Sequence, residues 1–278
     1  MNEDTISIIF SCSNSYIPYL SVAIQSISNT ANPSLHYNIY IMHNDSFDLR
    51  RAERIQTTLA ANLKIYYTNV TKWTTGFPLP LTARTHVTEE SYYKLLIPRL
   101  FPHLKKVIYL DVDVVVLKDL SALYQIDLDD NLIGGVPEYL PGRFATYVQN
   151  TLGIDRYEYI NAGVVLMDTE RLNPSEFEIN CRTLLSNNPP YYMLNQDILN
   201  IVCYHHIKYL DSRWNLGWNT RVPILYELKA PFILHYTTKS KPWNTTNRLV
   251  SDYFWETSHT CAFEDELRTI EATHWSGL

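Results

Sequence analysis

Hydrophobic positions recur with two different periods along the first half of the chain. Ile6 to Phe10 is a short, β-rich apolar run and predicts a strand. Leu20, Ala23, Ile24 and Ile27 then fall at i, i+3, i+4 and i+7, one face of an amphipathic helix. Tyr37 to Met42 predicts a second strand, Ala52, Ile55 and Leu59 a second helix, and Lys64 to Tyr67 a third strand. A helical piece from Glu89 is expected to stop near Pro98, because proline disfavours helix at the residue before it. Strands alternating with helices predict parallel βαβ units with right-handed crossovers. The expected fold class is therefore α/β, a Rossmann-like and mostly parallel central sheet flanked by helices.

The next apolar run is the most informative. Val107-Ile108-Tyr109-Leu110 shows no polar alternation, which predicts a strand buried on both faces, and it leads directly into Asp111 and Asp113. Further on, Leu132 to Val136 and Gly163 to Met167 predict buried strands. Asn173-Pro174 predicts a helix start, with Asn as N-cap and Pro in the first turn. Phe177, Cys181, Leu184 and Leu185 form its apolar face, and Pro189-Pro190 is expected to end it. Asn195 to Cys203 reads as helical and Ile207 to Leu210 as a short strand. After Trp243 the pattern weakens to an amphipathic tail. The simplest partition is one domain over 1–243, with 244–278 a helical extension packed on it.

Composition narrows the classes. A hydrophobic content of 46% supports a packed core, and 19% charged residues argue against widespread disorder. A net charge of -6, with no Lys/Arg stripe, speaks against a nucleic-acid partner. Cys12, Cys181, Cys203 and Cys261 are scattered without a Cys-x-x-Cys pair, which fits reduced cytoplasmic thiols better than a disulfide framework. The acidic start Met1-Asn2-Glu3-Asp4 runs into a strand, so no signal peptide is expected. No apolar run reaches about 18 residues, so no transmembrane helix is expected either. A cytoplasmic chain, at most peripheral at the inner face of the membrane, is the expectation.

The chemistry centres on the aspartates. In an extended chain residues i and i+2 share a side, so Asp111 and Asp113 could converge on one cation. Two ionised carboxylates at the end of an apolar strand repel each other unless something positive sits there, and a hard divalent ion is the natural partner. Strand carboxyl ends are also where ligands collect in open α/β sheets. The ordinary alternative is an exposed Asp-x-Asp turn. Asn161-Ala162-Gly163 sets small residues just before a strand, where a ligand could approach the backbone. Asn195-Gln196-Asp197 clusters amides and a carboxylate at a helix start, equally consistent with plain N-capping. His235 ends an apolar run and could complete an Asp/Asp site, shifting preference from Mg²⁺ toward Mn²⁺, while Lys241 could neutralise a phosphate. Lys94, in Ser91-Tyr92-Tyr93-Lys94-Leu95, reads by itself as a snorkelling lysine on an amphipathic helix.

Taken in order, these segments resemble the retaining glycosyltransferases of family 8, the group that includes glycogenin and the bacterial lipopolysaccharide galactosyl- and glucosyltransferases. The matching features are a polar stretch before Tyr16, Tyr-Tyr-Lys-Leu, Tyr-Leu-Asp-Val-Asp, Asn-Ala-Gly, Asn-Gln-Asp-Ile-Leu-Asn and His-Tyr…Lys-Pro-Trp, with the tail Tyr253-Phe254-Trp255-Glu256 also similar. The resemblance implies a GT-A fold, a UDP-hexose donor (glucose or galactose), Mn²⁺ or Mg²⁺, and a glycan acceptor such as a lipopolysaccharide core, another oligosaccharide or a glycosylated protein. It implies that Asp111, Asp113 and His235 hold the metal. It puts Ser11, Ser13, Tyr16, Lys94, Asp111, Val112, Asn161, Ala162, Gly163, Asn195, Gln196, Thr238 and Lys241 around the donor, with Tyr16 near the uracil and Lys241 on the diphosphate. Gln196 and Asp197 are the candidate catalytic residues. Asp197 could attack, stabilise or orient the sugar, or the acceptor hydroxyl could enter on the leaving-group face and pass its proton to the β-phosphate. The chain departs from the family pattern at Ser13, Lys94 (usually arginine), Asn195 and Thr238. Two rivals stand beside this reading: a catalytically weak UDP-sugar-binding protein, and a haloacid-dehalogenase-type phosphatase, whose motif is also an apolar strand followed by Asp-x-Asp-x-Val.

Overall fold

The computed structural model describes residues 5–77, 88–187, 191–217, 230–244 and 248–275. The expected end of a helix at Pro189-Pro190 lies outside the described residues. Eight strands come first: β1 Thr5–Ser11, β2 His36–His43, β3 Leu63–Asn69, β4 Lys106–Leu110, β5 Val114–Val116, β6 Ile133–Pro137, β7 Ile160–Asp168 and β8 Ile207–Tyr209. Two short ones follow, β9 Leu216–Gly217 and β10 Ile233–His235. Seven of them form a sheet in the order β3-β2-β1-β4-β7-β6-β8, and β5-β10-β9 form a second, smaller sheet.

The β1, β2, β3 and β4 pairings are parallel, as the βαβ alternation predicts. β7 departs from that expectation: it lies antiparallel to both β4 and β6. A run buried on both faces has the same sequence signature in either direction, so periodicity could not reveal this. Successive side chains of a strand point to opposite faces. Ile8 and Phe10 accordingly join one core, with Ile24, Val115 and Leu234, while Ile9 joins the other, with Tyr93, Val165 and Ile198. Covering both faces explains why these strands read as unbroken apolar runs.

The helix Ile17–Thr30 carries Pro18 in its first turn, where a missing N–H costs nothing. Pro98 behaves the same way, which corrects its expected role as a stop. Residues Glu89–Leu96 wind as a 3-10 helix, and Pro98 sits in the first turn of the following α-helix, Ile97–Leu100. Asn173 does occupy the N-cap position of Pro174–Ser186, but at φ 29° its side chain makes no capping hydrogen bond. The tail forms two helices, Arg248–Ser258 and Glu264–Trp275. Phe254, Trp255, Phe263 and Leu267 from this region are buried in the same core as β1. All four cysteines are buried free thiols. Among the described residues, no helix is long and apolar enough to cross a membrane.

One polar pin ties the small sheet to this frame. Ser26 Oγ accepts from the Val116 N–H of β5 at 2.8 Å and donates to Ala23 O. Ser26→Ala would orphan a buried N–H, so we expect a loss of about 1–3 kcal/mol in urea unfolding. An unchanged midpoint would contradict this.

Candidate active site

The two sheets meet at the aspartates. β4 ends at Leu110 in the large sheet and β5 begins at Val114 in the small one, with a bend between them. The Asp111 N–H donates to Gly163 O of β7 at 2.8 Å, while Asp113 O accepts from the Tyr236 N–H, just past β10, at 2.9 Å. Each aspartate is therefore anchored to a different sheet. Their convergence comes from this bend, not from the extended geometry that the i, i+2 spacing suggested. His235, at the end of β10, completes the group: ligand-capable atoms of Asp111, Asp113 and His235 all lie within 4.8 Å of one another. Its Nε2 is 3.3 Å from Asp113 Oδ1 and 3.9 Å from Asp111 Oδ2.

Gly163 makes room for that approach. A Cβ on Gly163 would lie 2.1 Å from His235 Cε1 and 2.8 Å from Asp111 Oδ2. Asn161 and Ala162 lie within β7, which starts at Ile160, and not before the strand as expected. The extra length arises because β4 pairing ends at Val164, leaving Ile160 to Gly163 beyond the end of β4. Side chains complete this stretch. Asn200 accepts from the Ile160 N–H and donates to Ile160 O, both within 2.9 Å. Gln196 Oε1 accepts from the Ala162 N–H at 3.0 Å, and Lys94 Nζ donates to Ala162 O at 2.8 Å.

Lys94 is thus not a snorkelling surface lysine. It is buried, donates also to Asp111 Oδ1 at 3.1 Å, and lies 4.5 Å over the Tyr109 ring. Tyr109 Oη donates to the same Asp111 oxygen at 2.7 Å. Lys241 plays the matching part on Asp113, bonding Oδ2 at 2.6 Å and also Tyr236 O. Burial opposes ionisation of Asp113, but Lys241 and His235 outweigh it and hold the carboxyl well below its usual range. Two acids thus face two lysines, and the second oxygen of each acid faces the imidazole.

The remaining predicted residues spread around this centre. Gln196 and Asp197 lie in the first turn of the helix Asn195–Cys203, and both are buried with Asn195. Asp197 is fully enclosed: Tyr159 and Tyr147 hydroxyls donate to it at 2.5 and 3.0 Å, and the Met193 N–H at 2.9 Å. Burial raises its carboxyl pKa despite those bonds. Ser11 ends β1 beside the Tyr109 phenol. Ser13 pairs with the Ser15 hydroxyl, and Tyr16 packs edge-on to Tyr19 and Trp243. Val112 is half-buried between the aspartates, and Thr238 Oγ1 donates to Ser240 O.

Sequence reasoning missed two residues here. Glu138 follows β6, and because β6 and β4 both oppose β7, the carboxyl ends of β6 and β4 share one edge. The strand-end argument used for Asp111 would have found it. Its Oε2 accepts from Asn161 Nδ2, and burial raises its pKa against the pull of Asn161 and His235. Asn215 carried no signal in the sequence; its side chain bonds both His235 and Asn161.

The model of glycosyl transferase family 8 matches residues 7–247. The chain belongs to that family. Among curated proteins, it is 24% identical over 284 residues to General stress protein A of Bacillus subtilis, spanning 94% of this chain and 96% of that one. It is 26% identical over 274 residues to the glycosyltransferase GlyB of Streptococcus pneumoniae serotype 4, spanning 91% and 61%. Among solved structures, the bifunctional glycosyltransferase WbbM superposes with a TM-score of 0.80 at 23% identity, covering 96% of this chain and 52% of that chain. The galactosyltransferase LgtC, solved with donor and acceptor sugar analogs, gives 0.74 at 24% identity over 92% and 96%. The fold is the GT-A fold of these glycosyltransferases, and the phosphatase reading falls with the family match.

Two outcomes are expected for family residues. Gly163→Ala should displace His235 from the two aspartates, read as a changed His235 environment in ¹⁵N NMR spectra; an unchanged imidazole signal would contradict the packing argument. Asp197→Asn sets an amide N–H₂ or a lone oxygen against three donors. It should lower stability by about 1–3 kcal/mol in denaturant unfolding, against no change if the carboxylate were idle.

Proposed function

We propose that this glycosyltransferase moves a hexose, glucose or galactose, from a UDP-sugar to a glycan acceptor with retention of configuration, using Mn²⁺ or Mg²⁺. The observation that carries the reading is the convergence of Asp111, Asp113 and His235 against the Gly163 backbone. The donor set fits a divalent ion: two carboxylates and one imidazole suit Mn²⁺ or Mg²⁺, with the nitrogen favouring Mn²⁺. A cation held there supplies charge stabilisation for a departing diphosphate. Lys241, within reach of the same acids, adds a point charge for that diphosphate. Lys94 braces Asp111 and the Ala162 carbonyl from below, so it shapes the sugar side of the site.

Asn161, Ala162, Gly163 and Gln196 line the sugar side as donor-binding residues, and Ser11, Ser13, Tyr16 and Thr238 the nucleotide side. Asn195 and Val112 complete the donor set. Gln196 faces the sugar as a catalytic candidate. Asp197, with its oxygens committed to two tyrosines and a backbone N–H, orients the helix start rather than attacking. That leaves the acceptor hydroxyl to enter on the leaving-group face and the β-phosphate to take its proton. The acceptor is a lipopolysaccharide core, another oligosaccharide or a glycosylated protein, in the cytoplasm or at the inner membrane face. Residues 1–243 carry this chemistry, and 244–278 support it as a helical extension.

A second donor deserves a place in the test. A relative named "Probable galacturonosyltransferase 9" of Arabidopsis thaliana is 30% identical over 178 residues, 55% of this chain and 30% of that protein. UDP release should therefore be screened with UDP-glucose, UDP-galactose and UDP-galacturonate, with and without Mn²⁺. We expect Mn²⁺-dependent release from one of the two hexose donors, lost in Asp113→Asn, and an α-linked product by NMR. UDP binding without transfer or hydrolysis of any donor would favour the sugar-binding rival. A β-linked product from an α donor would sink retention.

A further inference from the structure

We infer that Asn215 is the positioning residue of the metal centre: it fixes His235 in the tautomer whose Nε2 lone pair faces the two aspartates. This rests on the proposed metal reading. The Gly163 N–H of β7 is a group that cannot change its role. That N–H donates to Asn161 Oδ1 at 2.9 Å. Asn161 must therefore present its oxygen on this side, and its Nδ2 turns to the Glu138 carboxylate. Asn215 meets the same Asn161 oxygen at 2.9 Å, so the Asn215 atom there is the donor Nδ2. The Asn215 oxygen is left facing His235 Nδ1, also at 2.9 Å. An amide oxygen only accepts, so Nδ1 carries the proton. In the neutral ring Nε2 is then the bare nitrogen, and it is the nitrogen that faces Asp113 Oδ1 and Asp111 Oδ2.

Reversing the assignment is costly. Flipping Asn215 alone would oppose two amide oxygens at 2.9 Å. Flipping Asn161 as well would oppose its N–H₂ to the Gly163 N–H. Asn215 and His235 are both buried, so water cannot relieve either mismatch. The backbone of β7 thus sets the ring nitrogen available to a cation two side chains away. The same amide links the metal side of the centre to Asn161 on the sugar side.

The test compares wild type with Asn215→Leu and Asn215→Asp. Mn²⁺ binding is read by paramagnetic resonance, without turnover. Leucine removes the acceptor for Nδ1–H, and loss of such a partner typically weakens metal affinity roughly 10–100-fold. Aspartate keeps an acceptor for Nδ1–H but sets its second oxygen against Asn161 Oδ1, so it should recover only part of that affinity. Because aspartate also keeps the shape of the side chain, the positions of the proton and the metal on the ring separate the acceptor role from a merely structural one. In parallel, ¹⁵N spectra of wild type loaded with ¹¹³Cd²⁺ should show coupling of the metal to His235 Nε2 and a proton on Nδ1. Coupling to Nδ1, or an Asn215→Leu protein that binds Mn²⁺ like wild type, overturns the inference while leaving the metal reading intact. If Asn215→Leu fails to fold, the cadmium spectrum of wild type decides alone. Wild type that binds neither ion defeats the metal reading, and this inference with it.

Discussion

The centre exists because one residue of β7 has no side chain. Gly163 lets the imidazole from the small sheet lie against the backbone of the large sheet, where any Cβ would collide with it. Without this contact the two sheets could not bring His235 within 4.8 Å of both acids, because the imidazole comes from β10 and the acids from the bend between β4 and β5. The bend at Val112 and the gap at Gly163 are two halves of one arrangement. One carries a pair of acids from sheet to sheet, and the other lets the third ligand close on them.

Charge balance follows from that geometry. Two carboxylates held this close in a partly buried bend repel strongly unless compensated. Lys94 answers Asp111 from beneath, with its stem enclosed and its ammonium over Tyr109, and Lys241 answers Asp113 from the mouth. The lysines occupy one oxygen of each acid and leave the others turned to the imidazole. Where the family pattern has arginine, Lys94 contributes a compact charge that reaches both Asp111 and the Ala162 carbonyl. The aspartate deeper in the fold, Asp197, serves differently: tyrosine hydroxyls and a backbone N–H satisfy it, and it braces the helix that carries Gln196.

Much of this was legible before any coordinates. The periods of Ile6–Ile27 and Tyr37–Tyr67 located the first three strands and the helix Ile17–Thr30, while the stretch marked by Ala52, Ile55 and Leu59 is α-helical only over Leu49–Glu53 and continues as a 3-10 helix over Arg54–Thr58. Asp111 and Asp113 stood out as two carboxylates one residue apart after an apolar run, and His235 because it ends one. What stayed hidden depends on relations between distant segments. The direction of β7 leaves no trace in an apolar run. Lys94 reads as a surface lysine until Asp111 and the Ala162 carbonyl are known to lie above it. Asn215 is one amide in an unpatterned stretch, meaningful only beside His235 and Asn161. The aspartate spacing pointed to two residues that do converge, but in a bend and not along a strand.

The central claim is that folding brings two acids and an imidazole together to grip one divalent ion beside a nucleotide. Anomalous diffraction at the manganese edge, from crystals grown with Mn²⁺ and UDP, tests it most directly. The account predicts one strong peak within roughly 2.5 Å of Asp111, Asp113 and His235, with the diphosphate on its open side. A nucleotide bound with no peak there, or a peak held by other residues, would contradict it.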